Sequence, residues 1–438
     1  MDLDASFLLH QLEDIEDDAI DDGSLTAGTA MAVMALGAIE AHRLRTERRK
    51  PSRLYLCRPQ LVRNPRGATA WQILYRSRSD RAYITTMGFD VATFDKILDA
   101  GFGVAWDTKP IPRADAPNTG ATRPGARSLD ASGALGLVLH YLNSTMREIS
   151  LQQIFALIPS TVSRYITFGL NLLLYILRRM PDARIHWPEN EDEFSGYNKL
   201  IVARHPRLTG AFASVDGLKL LCQTSDNPEI ENATFNGWLS EHFITNVIAF
   251  VPLGTVIAAK INAPGSWHDS RVAQPIYEKL RTRTPDGFYL VADTAFPRGA
   301  QQIEGKIRAP IKAGQRMQGT VAEIEERLAF DRELLSYRQT AEWGMRGLQG
   351  SFGRLRIPLE INRQRECGDL IEICLRLNNL RARLVGINQI RNVYIPLWKQ
   401  NREDEEVWSH FESMMFKDQR RSDRVARFHN IAIYEPTS

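Results

Sequence analysis

The feature that most constrains this 438-residue chain is a succession of β-prone runs between residues 211 and 297. "AFASVDGLKLLC", "FITNVIAFVP" and "TVIAAKINAP" each alternate or run apolar for strand lengths, and Leu253-Gly254 between the last two predicts a hairpin. A helix follows in "HDSRVAQPIYEKLRTR", then a fourth strand in "FYLVADTAFP", bounded by Asp286-Gly287 and Pro297. An apolar run of that kind belongs to a mixed or parallel sheet buried on both faces, where ligands and catalytic groups gather at strand ends.

Two of these strands carry a carboxylate that an apolar strand does not need. Asp216 lies in the middle of "ASVDGLKL" and Asp293 ends the "FYLVA" run. An ionised carboxylate in such a place requires a cationic neighbour. Three strands, a helix, a strand and later helices is the order of the ribonuclease-H-like fold, in which the first and fourth strands are neighbours. That order predicts that Asp216 and Asp293 face one another; Glu342 in "RQTAEWGMRG" sits on a helix that could lean over the same sheet margin, although Glu323, Glu325, Glu326 and Glu333 share that helical region. Like charges held that close invite a divalent cation, and an all-oxygen donor set selects a hard one, Mg²⁺ or Mn²⁺. Asp269, at the start of the intervening helix, serves as either a metal ligand or a helix cap, as Ser266 could, while His268 reads as a hydrogen-bonding structural residue. Trp343 and Phe352 read as core, and "GDLIEICLRLNNLRARLVG" as an amphipathic helix on the sheet.

Upstream, "SLDASGALGLVLHYLNSTMREISLQQIFALIPSTVSRYITFGLNLLLYILRRM" reads as three helices, the last two joined by a tight turn at Ile158-Pro159-Ser160. This is the outline of a helix-turn-helix, whose final helix would offer Ser160, Thr161, Ser163 and Arg164 to double-stranded DNA. Three helices packed for structural reasons alone give the same apolar stripes. Lys306, Arg308, Lys312 and Arg316 follow the Asp293 strand and are expected to meet phosphates, or to form an ordinary exposed loop.

The expected organisation is an acidic then basic region with helices at 1–110, a Pro/Gly-rich linker at 111–127, a helix-turn-helix domain at 128–195, an α/β nuclease domain at 196–390 and a basic tail at 391–438. The net charge of +3 conceals this segregation. "MDLDASFLLHQLEDIEDD" is acidic, while residues 42–67 and "KDQRRSDRVARFH" are basic, as a nucleic-acid partner or a nuclear-import receptor would require. No apolar run approaches the ~20 residues of a membrane span, and the start lacks a signal peptide's pattern. Four cysteines without a C-x-x-C pair predict a reducing, intracellular setting, with no disulfide framework or zinc ribbon.

In order, "SVDGLKL", "APGSWHDSR", "LVADTAFP" and "AEWGMRGLQGSFGRLR" resemble the blocks of Harbinger-type (PIF/Harbinger) DDE transposases and transposase-derived nucleases, particularly fungal members. The resemblance spans roughly residues 80–395. It implies a ribonuclease-H-like fold and divalent-metal-dependent cleavage and joining of DNA at element ends. Asp216, Asp293 and Glu342 would be the catalytic triad, with Asp269 as an additional acid. It also implies a separate Myb-like partner protein; a homo-oligomer is compatible with it, and DNA as substrate together with the basic stretches leads to an expected nuclear location. The chain departs from the pattern at Leu218-Lys219, where a His is usual, at Thr294-Ala295-Phe296 after Asp293, and at Asn378, which replaces a His. All three triad carboxylates are present. The rival readings are a domesticated DNA-binding protein of the same fold without cleavage, and a phosphohydrolase acting on small phosphates.

Overall fold

The strand that carries Asp216, β1 (Ala211–Leu221), is the axis of a six-stranded mixed sheet. In the computed structural model, residues 23–49, 55–112, 124–296, 303, 305–311 and 318–395 are described. The acidic start, most of the Pro/Gly-rich interval, the basic tail beyond 395, Lys312 and Arg316 lie outside them. Along one edge of β1 runs β3 (Glu241–Phe250), antiparallel, with Asp216 opposite Ile248. Along the other runs β5 (Tyr289–Val291), parallel, with Ser214 opposite Val291.

The sheet is completed by β2 (Phe235–Asn236) and β4 (Val256–Pro264) on β3, and by β6 (Ile307–Arg308) on β5. The β3–β4 connection is the expected hairpin: Val251 donates to the Thr255 carbonyl, and Gly254 takes a φ of 76°, a conformation that glycine enters without steric penalty. The first long strand and the strand before Asp293 are therefore neighbours. This order, with helices on both faces, is that of the ribonuclease-H-like fold.

Side chains alternate across β1 and divide the molecule into two cores. On one face Leu218, Leu220, Ile244, Phe250 and Val291 pack with Tyr337, Leu348 and Ile371. On the other, Val215, Val247, Ala249 and Leu290 pack with Phe194, Val272 and Ile276.

The upstream helices α1 (Ala131–Asn143), α2 (Glu148–Phe155) and α3 (Pro159–Leu177) form where they were expected. Asp130 caps the first by accepting from the Gly133 N–H, and Pro159 opens the third, where its missing N–H costs nothing. Between the second and third, Ala156 adopts φ 51°, making the tight turn. Their apolar residues are continuous with the first sheet face: Val138, Leu173 and Leu177, with Trp71 and Phe94 from the preceding helices, belong to the same buried cluster as Ile371 and Leu375.

Two expected boundaries fall inside helices. Position 195/196 lies within α4 (Glu191–Val202), which Asn190 caps and whose Phe194 and Ile201 are buried, one in each core; 390/391 lies within the helix Gln389–Tyr394. A short Phe-x-x-Tyr-x-x-x-Ile spacing next to a strong strand is easily overlooked.

The remaining elements that shape the site are α5 (Asp269–Val272), α6 (Gln274–Arg283), α7 (Val321–Ser351) and α8 (Gln364–Leu380). Helix α7 begins with a reciprocal cap, the Thr320 hydroxyl accepting from the Glu323 N–H and the Glu323 carboxylate from the Thr320 N–H. Its buried stripe, Leu334, Tyr337, Ala341, Gly344, Met345 and Leu348, follows helical spacing. No described helix is long and apolar enough to cross a membrane.

Candidate active site

Three elements bring carboxylates to one place. Asp216 points from the middle of β1 to the face covered by α7; its Oδ1 accepts from the Gly217 N–H at 2.8 Å. Asp293 sits two residues past β5, where the chain turns and the Thr294 N–H binds its Oδ1. Glu342 lies on α7, which the close contact of Gly344 with the Phe250 ring seats tightly on the sheet: a Cβ at 344 would fall 2.7 Å from ring carbons.

A single guanidinium joins them. Arg338 Nη2 donates to Glu342 Oε1 at 2.6 Å, and its Nη1 stands 3.8 Å from Asp216 Oδ2 and 4.0 Å from Asp293 Oδ2. Arg346 Nη2 stands 4.0 Å from the far oxygen of Glu342. Sequence reasoning asked for a cation beside Asp216 and did not identify this one. The available signal was unspecific: Arg338 and Glu342 are spaced i, i+4 on one helix face, as many solvated pairs are.

Burial pushes the Asp216 carboxyl up to about 6; the Gly217 N–H and Arg338 oppose that shift, and Asp293 and Glu342 add to it. A carboxyl so placed is held by its surroundings away from ordinary solvent behaviour, as functional carboxyls often are.

Asp269 reaches the site from the other side of β1. A Cβ on Gly217 would fall 2.6 Å from Asp269 Oδ2, so only glycine admits this carboxylate against the strand. Burial raises the Asp269 pKa, Lys219 and His268 lower it, and Asp293 raises it. Asp269 thus stands within electrostatic reach of Asp293 while Arg338 gathers the other three acids. The helix cap it could have supplied comes from His268, whose imidazole accepts from the Ser270 N–H; neither Asp269 nor Ser266 is the capping residue. His268 thus makes the kind of local hydrogen bond expected from its sequence context.

Among the described residues, no group of three His, Cys, Asp or Glu side chains could hold an ion as they stand. The donor chemistry nevertheless fits a hard cation. Three carboxylates already converge on one positive group, with oxygen as the only ligating atom.

The residues expected to touch DNA divide. Ser160 and Ser163 are exposed at the start of α3, and Arg164 is half-buried with its Nε on the Ser160 carbonyl. Thr161 is buried at 7% exposure, so its side chain belongs to the helix packing and not to a surface. Lys306 is also turned away from a phosphate role: its Nζ binds the Thr284 and Pro285 carbonyls and Asp286, each at 2.9 Å, closing the end of α6. Three acceptors already satisfy its three donors. Arg308 is exposed and lies over the Tyr289 ring at 4.1 Å.

Part of the basic stretch is likewise engaged with backbone carbonyls. Arg58, itself exposed, donates to the Ala156 carbonyl at 2.7 Å, bracing the turn between α2 and α3, and half-buried Arg66 donates to the Pro124 and Arg127 carbonyls at 2.8 and 2.7 Å.

Comparison with known families places a match over this same region. Residues 215–379 match the family model described as DDE superfamily endonuclease, a span that contains Asp216, Asp269, Asp293, Arg338 and Glu342. No curated protein and no solved structure matched the chain.

Proposed function

We propose that this chain is a divalent-metal-dependent DNA endonuclease of transposase type, cleaving and joining phosphodiester bonds at transposon ends. The observation that carries the reading is the convergence of Asp216, Asp293 and Glu342, from two neighbouring strands and the helix above them, on one cationic position.

Asp216, Asp293 and Glu342 would hold the hard cation, Mg²⁺ or Mn²⁺, with Asp269 supporting Asp293 from across β1. A bound divalent ion supplies activation of the attacking water or hydroxyl and stabilisation of the leaving oxygen. The chain's own residues do the positioning. The two strands fix the aspartates relative to one another, the Gly217 and Thr294 N–H groups orient one oxygen of each, and α7 sets the third carboxylate at a fixed height over the sheet.

The exposed start of α3, with Ser160, Ser163 and Arg164, and Arg308 at the end of β6, would meet the DNA backbone. Lys312, Arg316 and the basic tail would add charge of the same sign. The Harbinger-type blocks support the narrower assignment and, with it, a Myb-like partner; the basic stretches support nuclear action, and a homo-oligomer is compatible with both. A helix-turn-helix unit at 128–195 and a nuclease unit from 196 remain useful functional divisions, although their core is shared.

One observation favours a second reading. Arg338 already compensates the carboxylates, which is what a domesticated DNA-binding protein of this fold without cleavage would retain. Labelled duplex DNA incubated with the full chain separates the two. Endonuclease function predicts nicking in Mg²⁺ or Mn²⁺ that EDTA stops and that Asp293→Asn lowers by about two orders of magnitude or more. Mobility shifts without nicking, in either metal, would leave the binding-only reading.

A further inference from the structure

We propose that Arg338 is an exchangeable counterion of the acidic cluster: its guanidinium and a divalent cation compete for the same carboxylates, so that loading the cation and releasing Arg338 are one event. The inference rests on the reading of Asp216, Asp293 and Glu342 as cation-holding residues.

The geometry distinguishes an exchangeable ion from a permanent brace. Arg338 makes one short hydrogen bond, to Glu342, while its 3.8 and 4.0 Å separations from Asp216 and Asp293 are longer than hydrogen bonds. Two of the three carboxylates therefore meet Arg338 through charge alone, their hydrogen bonds coming from the Gly217 and Thr294 N–H groups. One guanidinium carries a single positive charge against three carboxylates, so a divalent ion is the better electrostatic complement, and both cations cannot occupy the same position.

Arg338 is not sealed in, its side chain being 22% exposed. Arg338 projects from an α-helix on a long flexible side chain, and Glu342, four residues on, keeps a second guanidinium, Arg346, at 4.0 Å from its other oxygen. Before loading, the Arg338 charge would keep three acids together that would otherwise repel one another. By contrast, the paired arginine Arg178 is bonded through both Nε and Nη2 to Glu372, the two-point geometry expected of a structural bridge.

Mn²⁺ binding to the full chain, followed by the free-ion signal in electron paramagnetic resonance, tests the proposal without reference to turnover. Wild type should bind Mn²⁺, Asp293→Asn should abolish binding, and Arg338→Met should tighten it by about tenfold or more because the competing charge is gone. Arg338→Lys, which keeps the charge, should remain near wild type. Equal or weaker binding by Arg338→Met, with wild-type binding still dependent on Asp293, would overturn the exchange and leave the site reading intact. Wild-type binding that ignores Asp293→Asn would overturn both.

A second measurement needs no variant. Phenylglyoxal modification mapped to Arg338 in the wild-type chain should rise several-fold when Mn²⁺ is added, and unchanged or reduced modification would contradict release.

Discussion

Gly217 shows how a single residue can set the chemistry of its neighbours. It has no side chain because the Asp269 carboxylate occupies that space, and this brings a fourth acid against β1 beside Asp216. Gly217→Ala is expected to destabilise the fold by about 1–3 kcal/mol in urea unfolding, and by clearly less in an Asp269→Ala background, since the overlap is between those two residues. Two buried histidines make a pH prediction. Burial, aided at His205 by Arg204, lowers the pKa of His140 and of His205 to about 4. Unfolded histidine protonates near 6.5, so the stability they contribute is complete above that pH and is lost as pH falls through the window toward 4. Unfolding at pH 7 and pH 5 should differ by about 2 kcal/mol per histidine, and replacing either with a non-titrating residue should shrink the difference. At this scale Asp216 and Asp293 were legible because a carboxylate in an apolar strand is anomalous. Arg338 was not, because an Arg–Glu pair spaced i, i+4 looks like any solvated helix pair. Lys306 was misread because proximity in the chain does not say which way an ammonium turns.

At the scale of elements, helix α7 offers two glycines with opposite expectations. Gly344 lies against the Phe250 ring, where a methyl group must push the helix off the sheet; at Gly347 a Cβ would meet nothing within 4 Å. Gly344→Ala should therefore destabilise, the overlap outweighing the helix-propensity gain, whereas Gly347→Ala should stabilise by up to about 1 kcal/mol. Equal signs in thermal or urea unfolding would contradict this account of how the helix is seated. The strands and the β3–β4 hairpin could be read in advance because period-two patterning and Leu-Gly punctuation are local signals, while the β1–β5 adjacency followed from the succession of elements. Helix α4 could not be read as crossing the 195/196 boundary. Its few apolar residues precede a much stronger strand pattern, and only the tertiary packing of Phe194 and Ile201 reveals its extent.

At the scale of the molecule, the helical region and the sheet share one buried cluster, so helices α1 to α3 pack into the same core as the sheet that carries the acidic site. The sequence pattern marked both parts and missed their continuity, because a Pro/Gly-rich interval and a change of periodicity look the same whether or not the flanking cores merge. On the proposed function, the three carboxylates Asp216, Asp293 and Glu342 act as one unit. The decisive measurement is single-turnover cleavage of duplex DNA in Mg²⁺ for Asp216→Asn, Asp293→Asn, Glu342→Gln and the triple variant. Each single substitution should fall to the same floor and the triple no lower, as for residues working together. Wild-type-like cleavage by any one of the three, losses that multiply in the triple, or no cleavage by the wild type would contradict it.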